Sequence, residues 1–217
     1  LIKKGADINA IFNKFKSPLY FAAQNGHTEI LRVLLAEKGI VVNLGGAKRV
    51  DAILIAVQQG HTEVLRLFDG HININNVDDN GFTLLHIAAQ HGRIETLRFL
   101  IDKGADVNAT SHDHYSAAHL ASIEGHTAIL RVLFEKGANL NDPIERGFAP
   151  AHIAAQHGRI EALRFLVEKG AGYNQKISKD PPVVNKNSDY NLAIMEGDVE
   201  TLRLGYERNF FDVNVTD

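Results

Sequence analysis

The chain has 217 residues, is 45% hydrophobic and 23% charged, and carries a formal net charge of −3. This composition can bury a sizeable core and excludes a disordered tail, and the near-neutral charge gives no reason to expect nucleic acid or an anionic membrane as a partner. The chain has no cysteine, which excludes disulfides and fits a cytoplasmic setting, and no apolar stretch reaches the roughly 18 residues of a membrane span.

A glycine recurs along the chain at intervals close to 33 residues. Its spacings are 34, 32, 33, 33 and 39 residues, and it stands at Gly26, Gly60, Gly92, Gly125, Gly158 and Gly197. The segment from His86 to Glu95 also returns unchanged from His152 to Glu161. Self-similarity at such a period indicates a repeat architecture, in which each unit buries its apolar face against its neighbours.

In chain order, the pattern gives the tail of a preceding repeat at residues 1–9 and then six repeats, at residues 10–43, 44–75, 76–108, 109–141, 142–174 and 175–217. The second repeat is irregular, because its second helix is expected to end early, near Phe68. The sixth is also irregular, because residues 175–187 add six residues that include Pro181 and Pro182, which neither a helix nor a hairpin ladder accommodates. We expect one domain, cut from a longer protein and least stable in the sixth repeat.

Each repeat predicts two short helices on either side of its glycine. In the third repeat, Thr83 can cap the first helix, and small alanines let neighbouring backbones approach. Gly92 ends that helix because it adopts the positive φ that other residues resist. The apolar residues of the second helix share one helix face, at Ile94, Leu97, Leu100 and Ile101.

These motifs make the chain resemble the ankyrin repeat family. The T-P-L-H signature of that family stands here as Thr83-Leu84-Leu85-His86 and Ala149-Pro150-Ala151-His152. Its G-A-D-V-N exit stands as Gly5-Ala6-Asp7-Ile8-Asn9 and Gly104-Ala105-Asp106-Val107-Asn108. The resemblance covers nearly the whole chain. It implies an all-α repeat solenoid of stacked helix–turn–helix units, with β-hairpin finger loops projecting from a curved stack.

Eleven histidines raise the question of metal binding or catalysis, but most fall on repeat positions. The resemblance assigns His86, His119 and His152 to hydrogen bonds between turns. The run from His112 to His114 would need metal ligands from elsewhere, and a polar turn is the simpler interpretation. No phosphate loop, nucleophile elbow or H-E-x-x-H motif occurs. The sequence therefore predicts no catalytic residue, no metal and no cofactor, and a protein that is not an enzyme.

An arginine follows leucine in all six second helices, and in five of them a glutamate precedes it by three residues. Such pairs stabilise a helix by ~0.2–0.5 kcal/mol each. We interpret the arginines as members of these pairs. The alternative is a basic stripe along the stack.

The resemblance implies that partners contact the fingers and the face of the first helices, which forms the concave surface. An aromatic residue stands just before the capping position in three fingers, at Phe82, Tyr115 and Phe148. Aromatic anchors ringed by polar groups suit an interface hot spot. The alternative is that these rings pack only on neighbouring fingers. The residues just before the repeat glycine are expected to face the same groove: Gln90, His91, Ile123, Glu124, Gln156 and His157.

We therefore predict a monomeric scaffold that binds another protein in the cytoplasm and binds neither nucleic acid nor membrane. One alternative is the targeting module of a multidomain effector that acts in a host cytoplasm, with its enzymatic domain outside this chain. Another is a substrate of an asparaginyl hydroxylase, for which the resemblance singles out Asn108. A second, lower-ranked binding patch lies on the first finger, at Phe12, Lys14, Phe15 and Lys16.

Overall fold

The computed structural model describes residues 7–12, 16–42, 52–70, 72–144 and 147–171. The sixth predicted repeat, the predicted bulged loop before it, and Lys14 and Phe15 of the first finger lie outside the described residues. The chain divides into two compact units, Leu1–Asp106 and Val107–Asp217. The single domain drawn from the sequence stays a prediction.

Ten α-helices occupy the described part of the chain, and they form five pairs around the recurring glycines. The predicted all-α helical repeat fold is thereby confirmed. Their bounds are α1 Pro18–Gln24, α2 Thr28–Leu35, α3 Ala52–Gln59, α4 Thr62–Leu67, α5 Leu84–Gln90, α6 Ile94–Asp102, α7 Ala117–Glu124, α8 Thr127–Glu135, α9 Pro150–Gln156 and α10 Ile160–Glu168.

Within each unit the helices pack on the equivalent helices of the next repeat. In the first unit, α3 lies between α1 and α5, and α4 contacts α2 and α6. In the second unit, α7 packs on α9 and α8 on α10. The first helices bury small side chains such as Ala88 and Ala121, whereas the second helices bury larger ones such as Leu97 and Leu130. Small side chains in the first helices allow the close helix spacing that a stack of short helices needs.

The fourth helix is the shortest second helix among the described residues. It has six residues, Thr62–Leu67, and Phe68 is its C-cap. Phe68 is fully buried, so the side chain that ends the helix still fills the core. The early end predicted from the sequence lies within one residue of the observed one.

The repeat glycine of the fourth repeat is required for two physical reasons. Gly125 ends α7 with a φ of 79°, in the left-handed region that favours glycine. A Cβ atom at Gly125 would also lie 2.9 Å from Cδ of Arg159. The Arg159 side chain crosses over this glycine, and its Nε donates a hydrogen bond to the carbonyl of Ile123, at 2.8 Å. The glycine thus makes room for a side chain of the following repeat.

The first unit contains the same contact twice. Arg93 crosses over Gly60 and donates through Nε to the carbonyl of Gln58, at 2.7 Å. The imidazole of His61 lies over Gly26, and its Nε2 is 3.1 Å from the carbonyl oxygen of Gln24. In each case the residue after one repeat glycine reaches back to a carbonyl two residues before the preceding repeat glycine. These bonds link successive repeats in register.

A second kind of link comes from the last asparagine of the exit motif. The Asn75 side chain accepts from the backbone N–H of Asp106 at 2.9 Å and donates to the carbonyl of Gly104 at 3.1 Å. Asn9 does the same to Val41 and Gly39, at 2.9 and 2.8 Å. A side chain of the preceding repeat thus bonds to two backbone groups in each of these turns.

Candidate functional site

The signature histidines fix the start of the first helices. Nδ1 of His119 lies 3.1 Å from the backbone nitrogen and 2.8 Å from the hydroxyl of Ser116, which is the N-cap of α7. His86 makes the same contacts with Thr83, at 3.1 and 2.8 Å. Both histidines are fully buried. They hold the helix start in place, which is a structural role within one repeat.

The fifth repeat keeps only part of this arrangement. Ala149 stands at the N-cap of α9 and has no side-chain oxygen. Its backbone N–H still donates to Nδ1 of His152, at 3.2 Å. His152 is only partly buried.

The three predicted aromatic anchors are half-buried, and each ring packs edge-on against the signature histidine of its own repeat. The ring centroids are 5.5 Å apart for Phe82 and His86, 5.9 Å for Tyr115 and His119, and 6.2 Å for Phe148 and His152. These ring contacts lie within one repeat, and the alternative considered from the sequence, that the rings pack only on neighbouring fingers, stays open. The rings are therefore held from one side by the scaffold and keep part of their surface exposed.

Finger backbone geometry sets the position of each ring. The N–H of Ser111 donates to the carbonyl of Tyr115 at 2.8 Å, and Thr110 forms an antiparallel bridge with Ser116. Ile144 donates in the same way to Phe148, at 3.0 Å. The turn at residues 111–115 matches the finger loops expected from the resemblance, and both hydrogen bonds hold the ring residue directly before the helix start.

Within the second unit, one histidine joins two of the predicted binding residues. His119 carries the Tyr115 ring on its edge, and its Nε2 lies 3.2 Å from the carbonyl oxygen of Phe148. The backbone of one finger is therefore bonded to the residue that supports the ring of the other. Phe82 lies in the first unit, where His86 supports it.

The six helix-end residues predicted to share the groove divide by exposure. Ile123 is half-buried, and its carbonyl accepts the hydrogen bond from Arg159. The other five side chains are exposed: Gln90 and His91 in the first unit, and Glu124, Gln156 and His157 in the second. A common groove for all six stays a prediction.

Asn108 is exposed, as a modification site requires, but its side chain is already engaged. Its Oδ1 accepts a hydrogen bond from the backbone N–H of Asn139, at 2.7 Å. This contact belongs to the series formed by Asn9 and Asn75. It gives Asn108 a structural role, and hydroxylation at this position stays a prediction.

The arginines of the second helices make contacts that the sequence interpretation captured only in part. Arg66 pairs with Glu63 at 3.1 Å, as the spacing predicts. Its guanidinium also lies over the ring of Phe99 in the next repeat, 5.2 Å from the centroid. Arg131 lies 4.7 Å from the centroid of Phe165. These stacked cations favour the structural interpretation over an open basic stripe. The sequence signal for this stacking was a phenylalanine at the same position of alternate repeats, at Phe99 and Phe165.

One carboxylate has a perturbed titration. Nζ of Lys103 lies 2.5 Å from Oδ2 of Asp69, on the surface of the first unit. The hydrogen bond from Lys103 is the main cause that holds the pKa of Asp69 below its ordinary value of 3.8. The folded state therefore favours the ionised carboxylate. The resulting stabilisation is present above the ordinary pKa and is lost as the pH falls through the lowered one.

We expect Lys103→Met to raise the pKa of Asp69 back towards 3.8, because the mutation removes both the hydrogen bond and the positive charge. An NMR titration of the Asp69 carboxyl carbon measures this directly. Lys38→Met removes an equal charge from another exposed position of the same unit and is expected to leave the Asp69 titration unchanged. A titration of Asp69 that is the same in all three proteins would contradict the assignment.

Among the described residues, no group of three His, Asp or Glu side chains is arranged to hold a metal ion. The run from His112 to His114 is exposed, and His114 has a φ of 64°, which fits a tight polar turn. No helix in the described ranges is long and apolar enough to cross a membrane.

Parts of the chain are similar to proteins from a spider, a plant and a virus. A segment of 108 residues is 33% identical to delta-latroinsectotoxin-Lt1a of Latrodectus tredecimguttatus, and it covers 49% of this chain and 6% of the toxin. A segment of 92 residues is 35% identical to the E3 ubiquitin-protein ligase XBAT32 of Arabidopsis thaliana, covering 41% and 16%. A putative ankyrin repeat protein, FPV223 of fowlpox virus, is 28% identical over 101 residues, covering 46% and 70%. The chain thus spans a small part of the first two relatives.

Family models give the more complete match. A model of ankyrin repeats in three copies matches residues 43–111 and 109–177, and a model of ankyrin repeats in many copies matches residues 1–35. The three-copy model alone covers more than half of the chain, including helices α3 to α10, and the match at residues 1–35 includes α1 and α2. The chain belongs to the ankyrin repeat family.

Proposed function

We propose that the chain is a scaffold that binds a partner protein through its fingers and the concave face of its first helices. Ankyrin repeats are generally protein–protein interaction modules, and domains built from them are typically non-enzymatic. The observation that carries the proposal is the half-buried ring at the base of three fingers, at Phe82, Tyr115 and Phe148.

Fixed aromatic rings are well suited to binding. Because the edge of each ring lies against a histidine that is itself hydrogen-bonded, the ring loses little conformational freedom when a partner arrives. A smaller entropic loss leaves more of the contact energy for affinity. Aromatic side chains also dominate the energetics of most protein interfaces.

The exposed chemistry of the second unit favours a mixed interface. Tyr115 and Phe148 offer apolar surface before the starts of α7 and α9, and the exposed side chains at the far ends of these helices are polar: Glu124, Gln156 and His157. An apolar centre with a polar rim is the usual arrangement of a protein interface. We infer that a partner inserts an apolar side chain against Tyr115 and Phe148 and bonds to the polar helix ends.

We also propose that the chain acts as a binding partner without catalysis, as a monomer, and in the cytoplasm. Its lack of cysteine supports this setting. The cations stacked on Phe99 and Phe165 support a protein partner in preference to nucleic acid, because they are not arranged as an open basic surface.

We expect the double variant Tyr115→Ala, Phe148→Ala to lose one specific protein that the wild-type chain captures. For the purified partner, the affinity is expected to fall about thirtyfold or more, since truncating a hot spot typically removes 2 kcal/mol or more. Affinity capture followed by calorimetric titration measures both effects. Circular dichroism at the working temperature establishes that the variant is folded.

The matched control is Ile160→Ala, Arg164→Ala, which changes two exposed positions of α10 in the same unit. This pair is expected to leave the affinity unchanged. An affinity that falls with the α10 pair, and survives the finger variant, would place the binding surface on the second helices and overturn the proposal.

A further inference from the structure

The sequence contains two Asn-Gly pairs, Asn25-Gly26 and Asn80-Gly81. Asparagine is one of the chemically labile residues of proteins, because the backbone nitrogen of the next residue can attack its side-chain amide. Glycine at that next position favours the attack, since it has no Cβ to hinder the approach and restricts the backbone least. What separates the two pairs is therefore the fold around each of them.

Asn80 lies in the exposed turn that precedes the ring residue Phe82. Its backbone N–H donates to Oδ1 of Asp78 at 2.9 Å, but its side-chain amide makes no hydrogen bond to any residue that the structure describes. This side chain can therefore rotate towards the nitrogen of Gly81. That nitrogen donates to the carbonyl of Asp78 at 2.9 Å, so its attack on the amide needs only a brief opening of the turn.

Asn25 is also exposed, but its side chain is held in place. It is the C-cap of α1, and its Nδ2 donates to the carbonyl of Phe21 at 2.8 Å. The adjacent Gly26 lies beneath the imidazole of His61, whose Cε1 is 3.0 Å from where a Cβ would be. Opening at this pair requires fraying of a helix end and separation of two packed repeats, which costs more than opening a surface turn.

The turn around Asn80 also fixes the position of Phe82. Oδ1 of Asp78 accepts from the backbone N–H groups of both Asn80 and Phe82, each at 2.9 Å. The N–H of Asp78 donates in return to the carbonyl of Phe82, at 3.0 Å. All three hydrogen bonds depend on the length of main chain between Asp78 and Phe82, so an added main-chain atom at Asn80 would break this register.

We propose that Asn80 is a site of spontaneous deamidation, and that its isoaspartyl product releases Phe82 from this turn. The nitrogen of Gly81 attacks Cγ of Asn80, and the bond from Cγ to Nδ2 breaks. The proton of the attacking nitrogen passes through water to the departing amide nitrogen, which leaves as ammonia. Water then opens the five-membered imide, so that the whole reaction consumes one water and releases one ammonia.

The imide opens to two products with different consequences for the turn. Cleavage of the bond between the ring nitrogen and Cγ gives aspartate, which adds a negative charge and leaves the main chain unchanged. Cleavage at the main-chain carbonyl carbon gives isoaspartate, in which the main chain runs through the former side chain and gains a carbon atom. Only isoaspartate lengthens the path between Asp78 and Phe82, and it therefore removes the ring from the edge of His86.

The site is tested by ageing the folded chain at mildly alkaline pH and mapping its peptides by mass spectrometry. We expect conversion of amide to acid to be about tenfold faster at Asn80 than at Asn25, because the two local openings differ in cost. In strong denaturant the two rates are expected to become similar, since the fold no longer separates them. Asn80→Gln is expected to abolish the fast conversion, because its longer side chain cannot close the same ring.

The effect on Phe82 is tested on the isoaspartyl protein, separated by chromatography and identified with an isoaspartate-specific methyltransferase. Amide exchange at Phe82 is expected to be about tenfold faster than in the unaged chain, since its bond to Asp78 is lost. The matched control is Asn80→Asp, which has the same charge and an unchanged main chain, and which is expected to keep the protection.

Two results would overturn the proposal. One is that Asn25 in the folded chain deamidates as fast as Asn80 or faster. The other is that exchange at Phe82 is the same in the isoaspartyl protein as in Asn80→Asp. Neither measurement uses a partner protein, so both outcomes are independent of the proposed binding function.

Discussion

Replacing His119 with alanine is expected to destabilise the second unit by about 3 kcal/mol. The side chain is fully buried, and it bonds to groups of two repeats. The backbone N–H of Ser116 can only donate, so Nδ1 of His119 accepts and the proton lies on Nε2, which donates to the carbonyl of Phe148. Alanine would remove the His119 partner of the buried Ser116 N–H and one of the two hydrogen bonds to the Phe148 carbonyl, and it would open a cavity. Urea unfolding followed by circular dichroism measures the loss.

His152→Ala is the matched comparison, because His152 holds the same position one repeat later. It is only partly buried, and its N-cap residue, Ala149, has no hydroxyl to satisfy. We expect this substitution to cost about 1 kcal/mol, the usual contribution of a hydrogen bond. Equal losses of unfolding free energy at His119 and His152 would contradict this prediction. The full burial of His119 and its bond to the carbonyl of Phe148 would then add no stability beyond the backbone N–H to Nδ1 bond that both histidines make.

Much of the fold could be predicted from the sequence because its determinants are local. The second helix of the third repeat was expected from Ile94, Leu97, Leu100 and Ile101, and α6 spans Ile94–Asp102. The capping role of Thr83 was likewise expected, and its hydroxyl accepts from the N–H of His86. A helix period and a cap depend on residues within one or two turns, so a single sequence contains them.

Other features depend on residues about one repeat apart, and the sequence did not reveal them. Ile30 and Ile129 occupy the same repeat position, yet Ile30 is half exposed and Ile129 is fully buried. Residue type alone cannot separate them, because the difference lies in what packs against each. The candidate site is similar: the sequence singled out Tyr115 and Phe148, but the hydrogen bond from His119 to the carbonyl of Phe148, 29 residues further along the chain, was visible only once both residues had been positioned.

The recurring glycine depends both on its local backbone conformation and on a contact with the following repeat. We expect Gly125→Ala to destabilise the second unit by about 3 kcal/mol, from the strain of a left-handed residue and from a displaced hydrogen bond of a charged donor. The new Cβ would lie 2.9 Å from Cδ of Arg159. The arginine would have to move, and its bond to the carbonyl of Ile123 would be lost.

Two further variants separate the two causes. Gly137 has a φ of 82°, but nothing lies within 4 Å of where its Cβ would be. Gly137→Ala therefore carries the backbone strain alone and is expected to cost about 1 kcal/mol. In an Arg159→Ala background there is no side chain to displace, so Gly125→Ala is expected to cost no more than Gly137→Ala does. The alternative result is that Gly125→Ala lowers the free energy of unfolding equally with and without Arg159. The glycine would then be required for its positive φ alone, and the Arg159 side chain would not need the space that the absent Cβ leaves.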